Sequence, residues 1–375
     1  MKNLFHQLQI NLYFDEYKFA LLCFITAFVV TLITIPPIIG LIKKFRFYDL
    51  PSARKEHSSP IPTMGGIAII AGMMMALFLW FPFGNQLAQV SFFFSITVLF
   101  GLGILDDLKD LSARYKFIIQ FGLAALIALS GIRITSFDGL FGIHNLSLGA
   151  QYTITILSIV AITNAYNLID GIDGLAGGLG FMSLITLGIF LTMNGDINTA
   201  LIAFALAGGI MAFLYFNFNP AKIFMGDTGS LVLGFVTAVL CIRLMQVNAA
   251  IPHPVLPHAP VFVLGIVLIP VFDTLRVFAI RIWNGKSPFA ADKTHIHHLL
   301  TTQGFSHGFA AKLICFLHGF VLIEVYWLRF LNQEFIFAVL FAFMLVIIVI
   351  LRNMGSFFKK VNTSMGNPNN NMVHE

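Results

Sequence analysis

The sequence has few charged residues and few cysteines, and both shortages limit the kind of protein it can form. Only 10% of its 375 residues are Asp, Glu, Lys or Arg, whereas a soluble protein carries roughly 25%. The cysteines Cys23, Cys241 and Cys315 each lie inside an apolar run, so neither a disulfide framework nor a thiolate metal site is expected. Together these shortages exclude a secreted, disulfide-stapled or disordered protein.

Apolar residues make up 58% of the chain, and the mean hydropathy is +0.88. Runs long enough to cross a hydrocarbon core of roughly 30 Å occur eleven times. They lie at about 19–42, 64–83, 87–105, 117–132, 152–166, 174–193, 199–216, 229–247, 259–283, 309–328 and 335–351. The sequence therefore predicts an all-α, polytopic integral membrane protein with a single transmembrane domain over residues 1–351. Residues 352–375 become polar and Asn-rich, which predicts a disordered cytoplasmic tail.

The basic residues predict the orientation of these helices. Of the 22 Lys and Arg residues, 17 fall on one set of loops and the tail, and 5 on the other side. Because cytoplasmic loops carry the excess of Lys and Arg, the N-terminus is expected outside and the C-terminus in the cytoplasm. The net charge of +5 then reflects an inner-face anchor, and nucleic acid is not expected as a partner.

Seven of the 17 acidic residues lie at predicted cytoplasmic helix ends or loops. They are Asp106, Asp107, Asp110, Asp170, Asp173, Asp227 and Asp292. Ionisable groups near a membrane are costly and indicate function. Carboxylates that converge from several loops usually need a cation, and Asp and Asn oxygens favour Mg²⁺ or Mn²⁺. The active site is therefore expected on the cytoplasmic loops.

The first acidic group is Asp106-Asp107-Leu-Lys-Asp110 at the end of the third run. A continuing helix would place Asp107 and Asp110 three residues apart on one face. The alternative is a solvated helix end whose acids pair with nearby bases. The same DDxxD spacing also occurs in prenyl-transferring enzymes that bind a diphosphate through Mg²⁺.

The second acidic group carries oxygen ligands at steps of three, at Asn164, Asn167, Asp170 and Asp173, which keeps them close to one helical face. Its alternative is a loop in which Asp173 caps the sixth helix.

In the third group, Gly-Asp227-Thr-Gly-Ser opens the eighth helix, whose N-terminal dipole favours anions such as phosphate. There the alternative is that Asp227 serves as a plain N-cap.

A histidine-rich loop carries His295, His297 and His298 within four residues. Zinc is one candidate ligand, but no Cys or Glu nearby completes a tetrahedral set. Contact with phosphate or sugar hydroxyls is therefore the favoured interpretation.

Two further groups of charges are less specific. Arg54 and Lys55, in the first inner loop, are membrane anchors that could also hold a lipid phosphate. Asp273 and Arg276, three residues apart in the ninth run, are expected to form a structural ion pair.

Five motifs in this order resemble those of the polyprenyl-phosphate N-acetylhexosamine-1-phosphate transferases, glycosyltransferase family 4. They are Asp49-x-Pro51-x-x-Arg54-Lys55-x-His57 with Gly65-Gly66, Asp106-Asp107-x-x-Asp110, Asn164-x-x-Asn167-x-x-Asp170-Gly-x-Asp173-Gly, Gly226-Asp227-x-Gly229-Ser230 and His295-x-His297-His298. The resemblance runs from about residue 20 to 330 and is closest to the WecA/TagO-like branch that initiates O-antigen and teichoic acid synthesis. Ile296 interrupts the three successive histidines typical of the phospho-N-acetylmuramoyl-pentapeptide transferase branch.

This resemblance implies transfer of N-acetylglucosamine 1-phosphate, or a related N-acetylhexosamine 1-phosphate, from a UDP-sugar to undecaprenyl phosphate, with release of UMP. It implies Mg²⁺ as the cofactor, with Mn²⁺ as a substitute, and a bacterial cytoplasmic (inner) membrane location. Direct attack and a covalent aspartyl-phosphate route are both open, as is a homodimer. The acceptor lipid is expected to enter from the bilayer through a groove between helices.

The same resemblance implies a role for each motif residue. Asp106, Asp107 and Asp227 are expected to be catalytic, and Asp227 with Asn167 to bind the metal. The residues expected to bind substrate are Lys116, Asn164, Asp170, Asp173, His295, His297, His298, Arg54 and Lys55.

Two rival functions fit parts of the sequence. An intramembrane Mg²⁺-dependent prenyltransferase would use the first two acidic groups as paired diphosphate motifs, but it leaves the histidine loop unexplained. A transporter would use the acids for ion coupling, yet transporter sites lie near the bilayer midplane and these acids lie at the inner ends.

Overall fold

The computed structural model describes residues 2–45, 48–49, 61–252, 254–287 and 294–365. Its first six helices are α1 Lys2–Phe45, α2 Gly65–Trp80, α3 Leu87–Lys109, α4 Ala113–Leu129, α5 Leu148–Ile169 and α6 Leu175–Met193. The next six are α7 Ile197–Asn217, α8 Gly226–Ala249, α9 Ala259–Trp283, α10 Ile296–Thr301, α11 His307–Leu328 and α12 Gln333–Met365. The strands β1 (Tyr48–Asp49) and β2 (Ile61–Pro62) pair antiparallel. The predicted all-α class is confirmed.

Each of the eleven predicted runs coincides with a helix. Across the described ranges, nine helices are long and apolar enough to cross a membrane, which confirms the polytopic architecture. The two that fall short are α2, apolar but only 16 residues long, and α4, with 17 residues. The first two turns of α4 carry Arg114, Lys116 and Gln120, which shortens its apolar stretch. The count of eleven spans and the orientation stay predictions.

The predicted tail begins too early. Helix α12 continues to Met365, so residues 352–365 are helical rather than irregular. The extension is held from the side: Gln303, just after α10, donates to the Leu351 carbonyl at 2.8 Å and accepts from the Gly355 amide. These two bonds anchor the turn of α12 that directly follows the apolar run. Residues 366–375 lie outside the described part of the chain.

Helix α8 forms the centre of the bundle, and 83% of its most apolar stretch is buried, against 22% for α12. Glycines bring α2 and α3 against its first turn. A Cβ on Gly66 would lie 2.2 Å from the Gly229 amide nitrogen, and one on Gly103 would lie 2.4 Å from the Thr228 Cα. These contacts leave no room for a side chain, so the two glycines fix the α8 N-terminus beside the C-terminal half of α3.

Candidate active site

The polar helix ends meet at one end of the bundle. Lys116, in the first turn of α4, bridges two carboxylates that are far apart in sequence. Its Nζ lies 2.7 Å from an Asp106 oxygen and 2.8 Å from an Asp227 oxygen. Asp106 comes from the last turn of α3, and its other oxygen accepts from the Leu111 amide at 2.7 Å. The group forms a compact charged centre in which one cation serves two buried or half-buried acids.

Asp107, next in the chain, caps α8. Its carboxylate accepts from the Asp227 amide at 2.8 Å, from the Thr228 amide at 3.1 Å and from the Thr228 hydroxyl. Carboxylates at a helix N-terminus satisfy free amides and interact well with the helix dipole. Asp227 is therefore not the plain N-cap of α8. The first amides of α8 donate to Asp107, and the Asp227 carboxylate pairs with Lys116.

The α5 asparagines face the same centre. Asn167 lies within hydrogen-bonding reach of the Asp227 carboxylate, and its amide donates to the Ser230 hydroxyl at 2.9 Å. Asn164, one turn earlier, donates to the side-chain oxygen of the buried Gln120. Asn167 thus joins the Asp227 group directly, whereas Asn164 ties α5 to α4.

Asp173 is buried behind this centre and does not cap α6. One of its oxygens accepts from the Asn219 side chain at 3.0 Å and from the Ala221 amide at 3.1 Å. The α6 N-cap is Gly174, whose amide donates to the Asn217 side chain at 2.8 Å. Asp173 therefore holds the segment that leads from α7 into the Asp227 turn, while its second oxygen is buried without a hydrogen-bond partner in the described structure.

Asp170 follows the last residue of α5. Burial, together with the charges of neighbouring carboxylates, chiefly Asp227, raises the pKa of Asp170 to about 8. A carboxyl with this pKa keeps its proton near neutral pH and can donate a hydrogen bond. The four predicted oxygen ligands of this segment therefore have four different environments.

The histidine loop is anchored on α9 by Asp273, which is only 1% exposed. One Asp273 oxygen accepts from Arg276 at 2.8 Å and from the Ile296 amide at 3.0 Å, and the other contacts His295 Nδ1 at 2.9 Å. Arg276 also donates to the Thr294 carbonyl. The predicted Asp273–Arg276 pair therefore exists, and it additionally holds the start of α10.

His297 connects this loop to α5. A Cβ on Gly171 would lie 2.6 Å from His297 Nε2, so the imidazole packs on the glycine beside Asp170. Its ring is stacked with that of His295 and lies 4.2 Å from that of His298. Burial and then the charge of His298 lower the pKa of His297 to about 3, which leaves it neutral at ordinary pH.

Several predicted residues lie elsewhere. Asp110 is exposed and ends α3 in a left-handed conformation (φ 51°), so it does not share a helical face with Asp107. This geometry removes the paired DDxxD arrangement on which the prenyltransferase alternative depends. Arg54, Lys55 and Asp292 lie outside the described residues.

The oxygen donors fit a magnesium ion better than zinc. Among the residues that the structure describes, no group of three or more His, Cys, Asp or Glu side chains is arranged to hold a metal. Mg²⁺ needs no such cage, because it usually takes one or two protein oxygens and completes its shell with water and substrate phosphate. The Asp227 carboxylate and the adjacent Asn167 side-chain oxygen are the two groups that could serve as such a pair.

Sequence reasoning missed the side chains that support the site. Gln120, Asn219 and Thr228 hydrogen-bond to Asn164, Asp173 and Asp107. Asn217 accepts from the Gly174 amide. Gln120 carried a signal because it lies four residues after Lys116 on the same helical face. The other three belong to the polar segment 217–230 around Asp227, which gave no role to each.

Comparison with known proteins places this geometry in context. The family model for glycosyl transferase family 4 matches residues 89–245, the segment that holds the charged centre but not the histidine loop. The chain is 35% identical over 302 residues to a probable undecaprenyl-phosphate N-acetylglucosaminyl 1-phosphate transferase of Bacillus subtilis, covering 79% of this chain and 82% of the relative. Undecaprenyl-phosphate alpha-N-acetylglucosaminyl 1-phosphate transferases of Yersinia pestis and Escherichia coli are 34% and 32% identical, over 72% of this chain and 74% of each relative.

Proposed function

The chain belongs to glycosyl transferase family 4, and from that membership we propose that it transfers N-acetylglucosamine 1-phosphate from UDP-N-acetylglucosamine to undecaprenyl phosphate. The observation that carries the proposal is Lys116, held between the Asp106 and Asp227 carboxylates at the end of the bundle where α3, α5 and α8 meet. A reaction between two phosphates needs charge neutralisation and alignment more than covalent chemistry. The charged centre provides both.

The reaction joins an oxygen of the lipid phosphate to the phosphorus that carries the sugar. The bond from that phosphorus to the bridging oxygen of the diphosphate breaks, and UMP leaves with this oxygen. The lipid thus gains the sugar together with its phosphate, and the product is undecaprenyl-diphospho-N-acetylglucosamine.

The two carboxylates that flank Lys116 have different surroundings, which suggests different tasks. Asp106 is buried, so it can orient the acceptor phosphate and hold its proton. Asp227 opens α8 beside Asn167 and is the more exposed of the two. Lys116 can shift from the carboxylates to the donor diphosphate when that group arrives. The Asp107 carboxylate caps α8, so we assign it the role of positioning Asp227.

Asp227 and Asn167 would hold Mg²⁺ in this scheme. A bound magnesium ion neutralises phosphate charge while the diphosphate bond breaks. The protein contributes one carboxylate and one amide oxygen on two packed helices, α8 and α5, so the distance between these ligands is set by the bundle.

The histidine loop and the second acidic group form the remaining part of the proposed donor site. His297 is neutral and packs against Gly171, so it can hydrogen-bond a sugar hydroxyl or phosphate oxygen without a charge of its own. Asp170, which precedes Gly171 in the chain, has a protonated carboxyl. Asp173 has a buried oxygen without a partner in the described structure. We assign the nucleotide and sugar to these groups.

We place the site at the cytoplasmic face of the bacterial inner membrane. The distribution of 17 and 5 basic residues on the two sides supports this orientation. UDP-sugars are cytoplasmic metabolites, so the donor would arrive from water and the lipid from the bilayer. Residues 1–351 would then act as one catalytic domain.

The test is a UMP-release assay on purified protein in lipid nanodiscs with undecaprenyl phosphate and Mg²⁺. UDP-N-acetylglucosamine, UDP-N-acetylgalactosamine and UDP-glucose are compared as donors, and we expect UMP from the first. The Asp227→Asn variant should lose turnover, whereas Asp196→Asn, at the opposite end of the bundle, should keep it. Failure to release UMP from any UDP-N-acetylhexosamine would overturn the proposal.

A further inference from the structure

A buried polar cluster joins four helices inside the bundle. Ser183 of α6, Tyr166 of α5 and His318 of α11 are all fully buried. The Ser183 hydroxyl oxygen lies 3.0 Å from the Tyr166 hydroxyl, 3.0 Å from His318 Nε2 and 3.0 Å from the Ile266 carbonyl of α9. Polar groups at such depth are costly unless they are paired, and they usually have a purpose. We call Ser183, Tyr166 and His318 the serine node.

The contact with α9 arises because that helix contains a proline. Pro270 lies inside α9, four residues after Ile266, and a proline has no N–H to donate to the carbonyl one turn earlier. The Ile266 carbonyl would therefore be buried without its helical partner. The Ser183 hydroxyl supplies the missing donor from the neighbouring helix.

The proton positions in the serine node follow from this contact. A carbonyl can only accept, so the single Ser183 hydrogen points to Ile266. The Ser183 oxygen must then accept from both remaining partners, which makes Tyr166 a donor and fixes His318 as the Nε2–H tautomer. His318 Nδ1, which then carries a lone pair, is buried without a hydrogen-bond partner in the described structure, which agrees with this tautomer because a proton on Nδ1 would have no acceptor.

Both ends of the serine node lead to the candidate active site. Tyr166 precedes Asn167 in α5, and a Cβ on Gly234 of α8 would lie 3.0 Å from the Tyr166 Cβ. On the other side, Ile266 lies seven residues before Asp273 in α9, about 10 Å along the helix axis. Asp273 holds the histidine loop through His295 and the Ile296 amide.

We propose that the serine node is a positioning device that sets the α5 metal-ligand face and the α9 anchor of the histidine loop relative to each other. This inference rests on the proposed function for its kinetic consequences. Ser183 touches no substrate and acts through α5 and α9. Loss of the Ser183 hydroxyl would leave α5 and α9 folded, but the two helices could then shift relative to each other near the Ile266 carbonyl.

Replacement of Pro270 separates the loss of the carbonyl's donor from the loss of the contact between helices. In Ser183→Ala the Ile266 carbonyl loses its donor, whereas Ser183→Ala combined with Pro270→Ala restores a backbone N–H to it. We expect Ser183→Ala to lose on the order of tenfold in kcat/KM for UDP-N-acetylglucosamine, which corresponds to about 1.4 kcal/mol, one net buried hydrogen bond. KM for undecaprenyl phosphate should not change. The double variant should keep the loss, because its restored N–H lies within α9 and does not reconnect that helix to Tyr166 of α5.

The matched control is Ser95→Ala. Ser95 is equally buried in α3, but within the described part of the chain its hydroxyl bonds only the Ser91 carbonyl of its own helix, at 2.7 Å. A second readout needs no activity: hydrogen exchange of residues 294–301, measured by mass spectrometry, should rise in Ser183→Ala and in the double variant, and stay at the wild-type level in Ser95→Ala.

Equal exchange and equal kinetics in the two serine variants would overturn the inference. So would an equal rise in KM for both substrates in Ser183→Ala, or full recovery when Pro270→Ala is added, which would mean that the unpaired carbonyl and not the contact between helices caused the loss. If the wild type releases no UMP, the proposed function fails instead, and the exchange data alone decide whether the serine node positions the loop.

Discussion

Asp273→Asn is the perturbation that most clearly separates positioning from chemistry in the candidate active site. The substitution keeps the shape of a side chain that is 1% exposed and removes its charge. The carboxylate accepts from Arg276, His295 and the Ile296 amide at 2.8 to 3.0 Å. The amide oxygen of Asn can still accept the two bonds from Arg276 and Ile296 that a single Asp273 oxygen accepts, whereas His295 loses its acceptor. The change therefore weakens the anchor without removing it.

The structure sets the size of the expected effect. A hydrogen bond to a charged group contributes about 1.5–3 kcal/mol, and breaking a buried ion pair costs about 3–5 kcal/mol. The Arg276 side chain is 13% exposed, and water can take up part of its charge, so the lower values apply. We expect the ordered conformation of the histidine loop to lose about 2–3 kcal/mol of stability. This loss is equivalent to a decrease of about 30- to 150-fold in kcat/KM for UDP-N-acetylglucosamine.

The assay is steady-state UMP release with each substrate varied in turn. The histidine loop belongs to the proposed donor site, so KM for the UDP-sugar should rise while KM for undecaprenyl phosphate stays constant. Asp196→Asn is the matched control, because it breaks another Asp–Arg pair, with Arg243, at the far end of the bundle. If both variants behave like the wild type, or if Asp273→Asn affects only the lipid, the assignment of the loop is wrong.

Three further predictions follow from single contacts. Lys116→Met removes both bonds to the carboxylates that it bridges and should lower kcat at least about 100-fold in the UMP assay, whereas near-wild-type turnover would contradict its role. Gly66→Ala places a methyl group 2.2 Å from a backbone nitrogen and should destabilise the protein by about 1–3 kcal/mol, seen as a lower melting temperature in detergent. Gly101→Ala is its control, because nothing lies within 4 Å of an added Cβ, and a similar loss there would refute the packing argument. His297 has a pKa of about 3 in the folded protein, below the ordinary value near 6.5, so the unfolded chain binds the extra proton and stability should fall as the pH drops from about 6.5. The melting temperature of His297→Gln should fall less over the same range, and parallel curves would contradict the neutral, buried imidazole.

The meeting of acids from different helices followed from topology. Asp106 lies in the last turn of α3 and Asp227 in the first turn of α8, and helices that cross a bilayer in opposite directions bring such ends to the same face. The predicted runs were accurate for the same reason, since apolar length alone sets a membrane helix. Topology did not predict which residues on that face contact each other.

Asp107 illustrates what spacing within one segment leaves out. Its partners are amides 120 and 121 residues away, and their position depends on how closely Gly103 lets α3 approach α8. Asp110 shows the converse: a helical continuation would have paired it with Asp107, but α3 ends at Lys109. Long-range packing in one case and a helix end in the other decide the roles of neighbouring aspartates.

The serine node was invisible in the sequence for a related reason. Ser183, His318 and Pro270 lie in apolar runs, where each reads as an isolated exception. Only the packing of α6 and α11 against α9 shows that a hydroxyl from one helix replaces the N–H that proline lacks in another. Deviations from an apolar pattern become informative once their partners are known.

The fate of the donor's β-phosphate tests the central claim most directly. Purified protein is given UDP-N-acetylglucosamine labelled in the phosphate next to the sugar, together with undecaprenyl phosphate and Mg²⁺, and the lipid and nucleotide products are separated. The account predicts that the label moves to the lipid and that unlabelled UMP is released in equal amount. Label that stays on the nucleotide as UDP would mean that the sugar is transferred without its phosphate, and the account would be contradicted.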